Sequence, residues 1–241
     1  MCEHCVVSGM TFPVRSYVTD ISRPGSFYDK WFYKMPRSRQ EKCERFRFKD
    51  DKKRCIISYA LLVNALHELA EDLGTDKTWQ LTEGFPAISA DANGKPAFSD
   101  IPVFFNISHS GERVMVCLSP GETGCDVEHK SNGALKIAKR FFAPAEYEYL
   151  LQISDESEQS GEFTRIWTLK ESVVKCCGEG IRHEFSDFSV IDDGCAVKSI
   201  KLDGGDGLYH MKEYDAENGY CYSCCSIYDD FEPGIRNIKF T

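Results

Sequence analysis

Two pairs of charged residues, far apart in the sequence, most constrain the fold of this chain. Asp126 and Glu128 stand at positions i and i+2, so in a strand both carboxylates point to the same face. Glu171 and Lys175 stand four residues apart in a helical pattern and share one side of a helix. Three acids beside a lysine suit a hard divalent cation bound together with a phosphate-bearing substrate. The pattern predicts that a strand and a distant helix meet at a site for phosphoryl-group chemistry.

The distribution of charge argues against one broad class of partner. The chain of 241 residues carries a net charge of −9, whereas general nucleic-acid binding requires a basic surface. Residues 34–54 are the exception, with ten basic and four acidic side chains, so that the remainder carries −15. This basic block is consistent with a local anion site or with a solvated helical face, and the charge alone leaves both open.

The twelve cysteines are interpreted as free thiols in a reducing cytosol. The first thirty residues lack a long apolar core and no run approaches the length of a membrane span, so we expect a cytoplasmic protein that does not enter a membrane. Cys2 and Cys5 form a C-x-x-C pair, and residues 221–225 contain three more cysteines. A zinc site joining the two clusters is the alternative, but the gap of more than 200 residues is unlike compact zinc modules.

The hydrophobic pattern predicts an α+β protein with strands and helices in both halves. The predicted strands are Val14–Val18, Val103–Ser108, Arg113–Leu118, the strand carrying Asp126, and short strands after residue 189. The predicted helices are Asp50–Leu73, Ala134–Phe142, Pro144–Leu151 and one that bears Glu171 and ends near Gly178, with a polar surface loop at Ser154–Glu162. A turn at Pro120-Gly121 is the expected seam between an N-terminal half, 12–119, and a C-terminal half, 120–241, after a leader of uncertain order, 1–11.

Five motifs follow one another along the chain and together carry a resemblance to a known family. They are Lys95-Pro96, Phe105–Gly111 (FNISHSG), Gly124–Glu128 (GCDVE), Ala138–Phe142 (AKRFF) with Glu146, and Trp167–Ser172 (WTLKES). In their order and spacing, from about Val14 through Val190, they resemble the 4′-phosphopantetheinyl transferases of the surfactin-synthetase-activating type. The resemblance implies two pseudo-symmetric α/β halves with the active site in the cleft between them. It also implies a monomer, because one chain builds the whole cleft.

The same resemblance implies a reaction, a cofactor and partners. The 4′-phosphopantetheine group passes from coenzyme A to a serine hydroxyl of an apo acyl or peptidyl carrier protein. The reaction depends on Mg²⁺ and releases adenosine 3′,5′-bisphosphate. The sequence does not distinguish among carriers of fatty-acid, polyketide and non-ribosomal peptide synthesis.

Site residues follow by matching the family motifs position by position. Asp126, Glu128 and Glu171 are expected to bind Mg²⁺, and Glu171 is also the candidate general base, with both roles left open. Lys175 is expected to act on a phosphate oxygen. The expected coenzyme A contacts are Arg39, Lys42, Arg54, Lys95, Ser108, His109, Asp126 and Lys175, with the first three assigned to the ribose 3′-phosphate.

Several positions depart from the family pattern or have a purely structural interpretation. Cys55 stands where the family often has a threonine that contacts phosphate, and Cys125 replaces an aliphatic residue. Glu179 stands where a lysine is common. Trp167 is interpreted as a packing residue between its helix and the second sheet.

Two other functions remain open at the level of sequence. One is a magnesium-dependent hydrolase or nucleotidyl enzyme that uses the same three acids on another diphosphate. The other is a non-catalytic coenzyme A-binding protein, which a complete set of metal-binding acids disfavours. The sequence has no Walker loop, which leaves ATP chemistry of the P-loop kind unsupported.

Overall fold

The computed structural model describes residues 11–74, 85–90, 93–130, 134–178, 184–202 and 207–240. The helices are α1 (Gly25–Lys34), α2 (Arg37–Glu44), α3 (Lys49–Leu73), α4 (Ala134–Phe141), α5 (Pro144–Gln152) and α6 (Glu156–Cys177). The strands are β1 (Arg15–Asp20), β2 (Ile88–Ala90), β3 (Pro96–Phe98), β4 (Phe104–Ser110), β5 (Arg113–Ser119), β6 (Thr123–His129), β7 (Ile191–Asp192), β8 (Cys195–Ala196), β9 (Ser199–Lys201), β10 (Leu208–Glu217), β11 (Tyr220–Ser226) and β12 (Arg236–Asn237). The predicted leader other than Thr11, the Cys2–Cys5 pair and Glu179 lie outside the described residues.

The first half is built from helix α3 and a four-stranded sheet of order β12-β1-β5-β4. Asp50 in the first turn of α3 complements the helix dipole, and the helix ends at Gly74. Ile57 and Leu61 recur at helical spacing on its buried side. The predicted helix Asp50–Leu73 is therefore confirmed to within one residue.

The second half repeats this arrangement with helix α6 and a sheet of order β6-β11-β10-β9. Gly124 is the point of closest approach between α6 and β6. A Cβ at this position would lie 2.2 Å from the backbone oxygen of Ser172 and 2.4 Å from the backbone nitrogen of Cys176. Since real Cβ atoms do not approach backbone this closely, only glycine lets α6 lie so near the strand. The result is that the acids of β6 and the charged side of α6 are neighbours.

Helix α6 begins earlier than the sequence predicts. The Asp155 carboxylate accepts a hydrogen bond from the backbone N–H of Glu158 at 2.8 Å and so caps the first turn. The polar loop expected at Ser154–Glu162 is wrong, because most of it forms the first turns of α6. The acidic residues there are exposed, and acids near a helix N-terminus are stabilised by the helix dipole. Their polarity therefore indicates a solvated helix end.

The two sheets pack face to face between the two long helices. On β1, Tyr17 points towards α3, whereas Val14 and Val18 belong to a separate core between the sheets. Met115 of β5 and Val127 of β6 meet in the same core. The alternation of side chains along each strand thus produces four layers: helix, sheet, sheet, helix.

The chain returns to the first sheet at its C-terminal end. Strand β12 pairs in parallel with β1, with Tyr17 opposite Arg236. Ile238 and Phe240 then pack against the first core. Neither this strand nor helices α1 and α2 are predicted from the sequence; β12 has two residues, and α2 is too polar to show a hydrophobic period. The division of the chain at Pro120-Gly121 stays a prediction.

The described cysteines are free thiols, and most are buried. Within the described ranges, no group of three or more His, Cys, Asp or Glu side chains is arranged to hold a metal ion. Cys224 and Cys225 lie in the interior of β11, where they fill the cores on its two sides. No helix in the described part of the chain has both the length and the apolar character needed to cross a bilayer.

Candidate functional site

The site is organised around an ion pair between β6 and α6. Lys175 Nζ lies 2.5 Å from Asp126 Oδ1 and 3.2 Å from Ser108 Oγ. Only 3% of the Asp126 side chain is exposed. Burial alone lowers the pKa of Lys175, but the adjacent Asp126 carboxylate outweighs it and raises the pKa. Lys175 is therefore a fixed positive charge at neutral pH.

Two further carboxylates complete the charged group. Burial is the main cause that raises the pKa of Glu128, and the negative charge of Asp126 adds to it. Burial likewise raises the pKa of Glu171, and the charges of Asp126 and Glu128 raise it further while Lys175 opposes them. Electrostatic effects link all three carboxylates, and the ion pair between Asp126 and Lys175 joins their strand and helix directly. The fold therefore brings strand β6 and the distant helix α6 together, as the sequence predicts.

The oxygen atoms of this group have the character expected of ligands for a hard cation. Asp126 Oδ2 is buried and has no hydrogen-bond partner among the residues that the structure describes, which is costly unless a ligand satisfies it. Among the described residues, no three or more His, Cys, Asp or Glu side chains are arranged to hold a metal ion by themselves. The three carboxylates therefore do not form a complete metal-binding site made of protein atoms alone. Magnesium does not require one, since it is usually held by one or two carboxylates and by substrate phosphates. The residues therefore fit a shared cation site.

His109 and Arg54 lie beside each other at the turn between β4 and β5. Arg54 donates to the backbone oxygen of Gly111 at 2.8 Å and pairs with Asp51 at 2.5 Å. Partial desolvation, together with the positive charges of Arg54 and Lys175, lowers the pKa of His109. The neutral form of the imidazole is consequently favoured, and its side chain is exposed within the electrostatic influence of Arg54 and Lys175. We call the surface formed by His109, Arg54 and Lys175 the cationic corner, and its charge is suited to binding an anionic group.

Two other members of the basic block, Arg39 and Lys42, lie on α2. Arg39 donates to the backbone oxygen of Cys55 at 3.2 Å, lies over the ring of Tyr59, and has a buried Nε without a partner. Burial lowers the pKa of Arg39. Lys42 is exposed on the same helix. Among the described contacts, none joins Arg39 or Lys42 to the carboxylate group.

Lys95 connects the two halves at another point. Its Nζ lies 2.6 Å from Glu122 Oε2 and 2.9 Å from the backbone oxygen of Cys176. With 13% of its side chain exposed, Lys95 holds the beginning of β6 and the end of α6 together. The sequence predicts a coenzyme A contact for Lys95, and the structure gives it these structural partners.

A groove of about 200 Å³ adjoins the carboxylates. It is lined by Glu128, His129, Ile137, Phe163, Thr164 and Trp167. The Trp167 ring stacks on Phe163, with 5.9 Å between ring centroids, and meets Phe185 edge-on. Trp167 is therefore a packing residue, as the sequence predicts, but its ring contacts are Phe163 of its own helix, Phe185 and the end of α4, and not the second sheet; it also forms one wall of the groove.

Two kinds of site residue were missed from sequence. Asn106 and Ser110 bind the edge of β6, and the signal for them was present as alternate polar residues in a strand that is otherwise apolar. Tyr220 supports the turn that carries His109, because its hydroxyl accepts the backbone N–H of Glu112 at 3.0 Å. No local pattern indicates this contact, which joins positions 108 residues apart.

Comparison with known proteins gives consistent matches. The family described as "4'-phosphopantetheinyl transferase superfamily" matches residues 122–225, which include both β6 and α6. The chain is 32% identical over 203 residues to the 4'-phosphopantetheinyl transferase Sfp of Bacillus subtilis (strain 168), covering 84% of this chain and 86% of that protein. It is 34% identical over 148 residues to the 4'-phosphopantetheinyl transferase gsp of Aneurinibacillus migulanus, covering 61% and 60% respectively.

A similarity to a solved structure is weaker. The crystal structure of Thermotoga maritima holo-(acyl-carrier-protein) synthase (AcpS) aligns with a TM-score of 0.29 and 20% identity, over 44% of this chain and 61% of that chain.

Proposed function

The chain belongs to the 4'-phosphopantetheinyl transferase superfamily, and on this premise we propose how its charged site performs the transfer. The enzyme moves the 4'-phosphopantetheine group of coenzyme A to a serine hydroxyl of an apo carrier protein, leaving adenosine 3',5'-bisphosphate. The observation that carries the proposed site is the ion pair between Asp126 of β6 and Lys175 of α6, with Glu128 and Glu171 electrostatically linked to it.

We propose that Asp126, Glu128 and Glu171 hold Mg²⁺ together with the diphosphate of coenzyme A. The unpartnered Oδ2 of Asp126 supports this assignment, because a buried carboxylate oxygen needs a partner. When bound, the cation would neutralise the negative charge that develops on the diphosphate oxygens. The protein's own part is to orient these carboxylates and to keep them buried, where electrostatic interactions are strong.

Glu171 is proposed as the group that accepts the serine proton. Its side chain is half-buried, and burial raises its pKa, which strengthens the carboxylate as a proton acceptor. Glu171 also lies next to the groove lined by Trp167, one helical turn away, from which a serine side chain could approach. Cation binding and proton acceptance are alternative or joint roles for Glu171.

Lys175 is proposed to stabilise the charge of the leaving diphosphate. Its ammonium is held in place by Asp126 Oδ1 and Ser108 Oγ, so little reorganisation is needed when the substrate binds. Next to it, Arg54 and His109 are proposed to bind other phosphate oxygens of coenzyme A. Lys42, Arg39 and Lys95 keep their expected coenzyme A contacts as proposals.

Mass spectrometry of an apo carrier protein tests the proposed function. With coenzyme A and MgCl₂, the wild-type enzyme should add the mass of phosphopantetheine to the carrier serine. The Asp126→Asn variant keeps the size of the side chain but removes one charge, and we expect transfer to fall by roughly 10²–10³. No transfer to any of several carriers by folded wild-type protein would refute the function, and wild-type rates for Asp126→Asn would refute the site.

The same assay separates the two alternative functions. A hydrolase would consume coenzyme A or another diphosphate when the carrier is omitted, whereas a transferase requires the carrier as acceptor. A non-catalytic binding protein would retain coenzyme A unchanged under both conditions. Product analysis by liquid chromatography distinguishes the three outcomes.

A further inference from the structure

Strand β4 binds the outer edge of β6 through its side chains. Among the described strands, β6 pairs with β11 on one edge, and every second backbone N–H on its other edge has no strand partner. The backbone N–H groups of residues 125, 127 and 129 donate instead to Asn106 Oδ1, Ser108 Oγ and Ser110 Oγ, at 3.1, 3.4 and 3.2 Å. Three alternate side chains of β4 thus accept the hydrogen bonds that the backbone of a neighbouring strand would otherwise accept from β6.

Asn106, Ser108 and Ser110 form a row of side chains along β4, and each of the two serines also bonds a carboxylate of β6. Ser108 Oγ donates to Asp126 Oδ1 at 2.7 Å, and Ser110 Oγ donates to Glu128 Oε2 at 2.7 Å. Each hydroxyl therefore accepts the N–H of one β6 residue and donates its proton to the carboxylate of the residue before it. The repeat has the period of two that a strand imposes.

We propose that Ser110 is a positioning residue for Glu128, fixing Oε2 so that Oε1 is presented to the cation and the diphosphate. The inference rests on the proposed function and deepens it. Ser108 has the same relation to Asp126, whose Oδ1 is held while Oδ2 is left without a partner. The row on β4 is thus the means by which one strand sets the orientation of both β6 acids.

Hydrogen-bond capacity argues that Ser110 acts through Glu128. A serine hydroxyl has one proton, and in Ser110 it is directed to Oε2. One of its lone pairs accepts the N–H of His129, so donation to a phosphate would require Glu128 to be released. A hydroxyl that bonds a metal-binding carboxylate belongs to the outer shell of partners that orients the ligands.

Manganese binding measures this role without using turnover. Mn²⁺ is titrated into enzyme saturated with coenzyme A, and free Mn²⁺ is followed by electron paramagnetic resonance. We expect Ser110→Ala to weaken Mn²⁺ binding by about 10–100-fold, the usual effect of losing an outer-shell partner. Ser110→Thr retains the hydroxyl and suits a strand, so its Mn²⁺ affinity should stay close to that of the wild type.

A matched control is Ser119→Ala at the other end of the same hairpin. Ser119 is buried, and its hydroxyl bonds Ser226 Oγ and the N–H of Gly121, away from the carboxylates. This variant should lose similar hydrogen bonds and leave Mn²⁺ affinity unchanged. Should Ser110→Ala fail to fold, Ser110→Cys replaces it, because a thiol is a weak donor and the same loss is expected.

Three results would overturn the inference. Mn²⁺ affinity of Ser110→Ala equal to that of the wild type would show that the hydroxyl does not position Glu128. Failure of Ser110→Thr to preserve affinity would indicate packing in place of hydrogen bonding. A loss of coenzyme A affinity in Ser110→Ala, measured calorimetrically with EDTA, would make Ser110 a direct ligand contact. If the wild-type protein transfers phosphopantetheine, any of these results refutes the inference about Ser110 and leaves the proposed function intact.

Discussion

At the scale of single residues, the site depends on a lysine that binds one oxygen of an aspartate, while the other oxygen of that aspartate is buried without a partner among the described residues. Lys175 and Ser108 both bind Asp126 Oδ1, and Oδ2 has no partner. The sequence predicts that Asp126 and Lys175 are close, because strand and helix spacings orient them. It does not predict which oxygen is occupied, because that depends on a serine from another strand.

His109 should make folding stability depend on pH in the acid range. Its pKa is lowered in the folded protein by partial desolvation and then by Arg54 and Lys175. Below the ordinary histidine pKa, the imidazole binds a proton more readily in the unfolded chain than in the folded protein. The contribution of His109 to folding stability is therefore complete above about pH 6.5 and is lost as pH falls through the pKa of the folded state. Urea unfolding between pH 7.5 and 5.5 should therefore show a smaller loss of stability for His109→Gln than for wild type.

Coenzyme A provides the control for that experiment. If a phosphate binds at this corner, its negative charge favours the imidazolium form, so saturating coenzyme A should reduce the acid sensitivity of the wild type. Equal pH dependence of wild type and His109→Gln would contradict the assignment of the lowered pKa to this side chain.

At the scale of secondary-structure elements, the approach of α6 to β6 sets the geometry of the site. Gly124→Ala would place a Cβ against the backbone of Ser172 and Cys176, where neither neighbour is a flexible side chain. We expect a loss of at least about 1–3 kcal/mol in the free energy of unfolding, typical of overpacking, and a large loss of transfer activity. Chemical denaturation and the carrier assay measure the two effects.

Gly25→Ala is the matched control for Gly124→Ala. A Cβ added at Gly25 meets no atom within 4 Å. Its free energy of unfolding should change little. A similar result for Gly124→Ala would mean that the helix can move away from the strand without loss.

A buried ion pair fixes α6 on its opposite side. Lys170 Nζ lies 2.8 Å from Glu146 Oε2, both side chains are fully buried, and the ammonium also binds the backbone oxygens of Phe185 and Phe188. Burial lowers the pKa of Lys170, and Glu146 opposes this effect. Glu146→Gln would leave an uncompensated buried ammonium, so we expect about 3–5 kcal/mol of destabilisation.

The exposed pair Arg37–Glu41 is the control for Glu146→Gln. Its side chains are 92% and 51% exposed. Surface pairs contribute about 0–1 kcal/mol, so Glu41→Gln should be nearly neutral in thermal and urea unfolding. Comparable effects of the two substitutions would contradict the role of burial.

The elements also show where sequence reasoning succeeds and where it fails. Helix α3 is predicted to within one residue because its apolar period and terminal glycine are both local signals. The start of α6 is wrong because a solvated helix end and a polar loop have the same composition. The contacts of Asn106, Ser108 and Ser110 with β6 are not predicted, because both strands are recognisable from sequence but their adjacency across two different sheets has no local signal.

At the scale of the whole molecule, the C-terminal segment holds the first half together. Val14 N–H donates to the Asp230 oxygen, Ile238 N–H donates to the Val18 oxygen, and the Thr19 hydroxyl donates to the Ile238 oxygen. Phe240 contacts Phe27 with 5.0 Å between ring centroids. These contacts join positions near both ends of the described chain, and no local sequence pattern specifies them.

Removal of residues 231–241 should therefore destabilise the first half. Burying an apolar side chain such as Ile238 or Phe240 contributes about 1.5–3 kcal/mol, and we expect a combined loss of about 3 kcal/mol or more. Hydrogen exchange should locate the loss in β1 and its neighbours, while α6 and β11 keep their protection. Asn237→Ala is the control and should have little effect. Uniform loss of protection in both halves would show instead that the molecule unfolds as one unit.

The parallel pairing of β12 with β1 also bears on how the molecule is made. During synthesis on the ribosome, β1 emerges before β12, its sheet partner, which follows more than 200 residues later. Until then β1 has an open edge, which can pair with another chain. The edge of β1 in newly made protein should therefore need shielding from other chains until β12 has been translated.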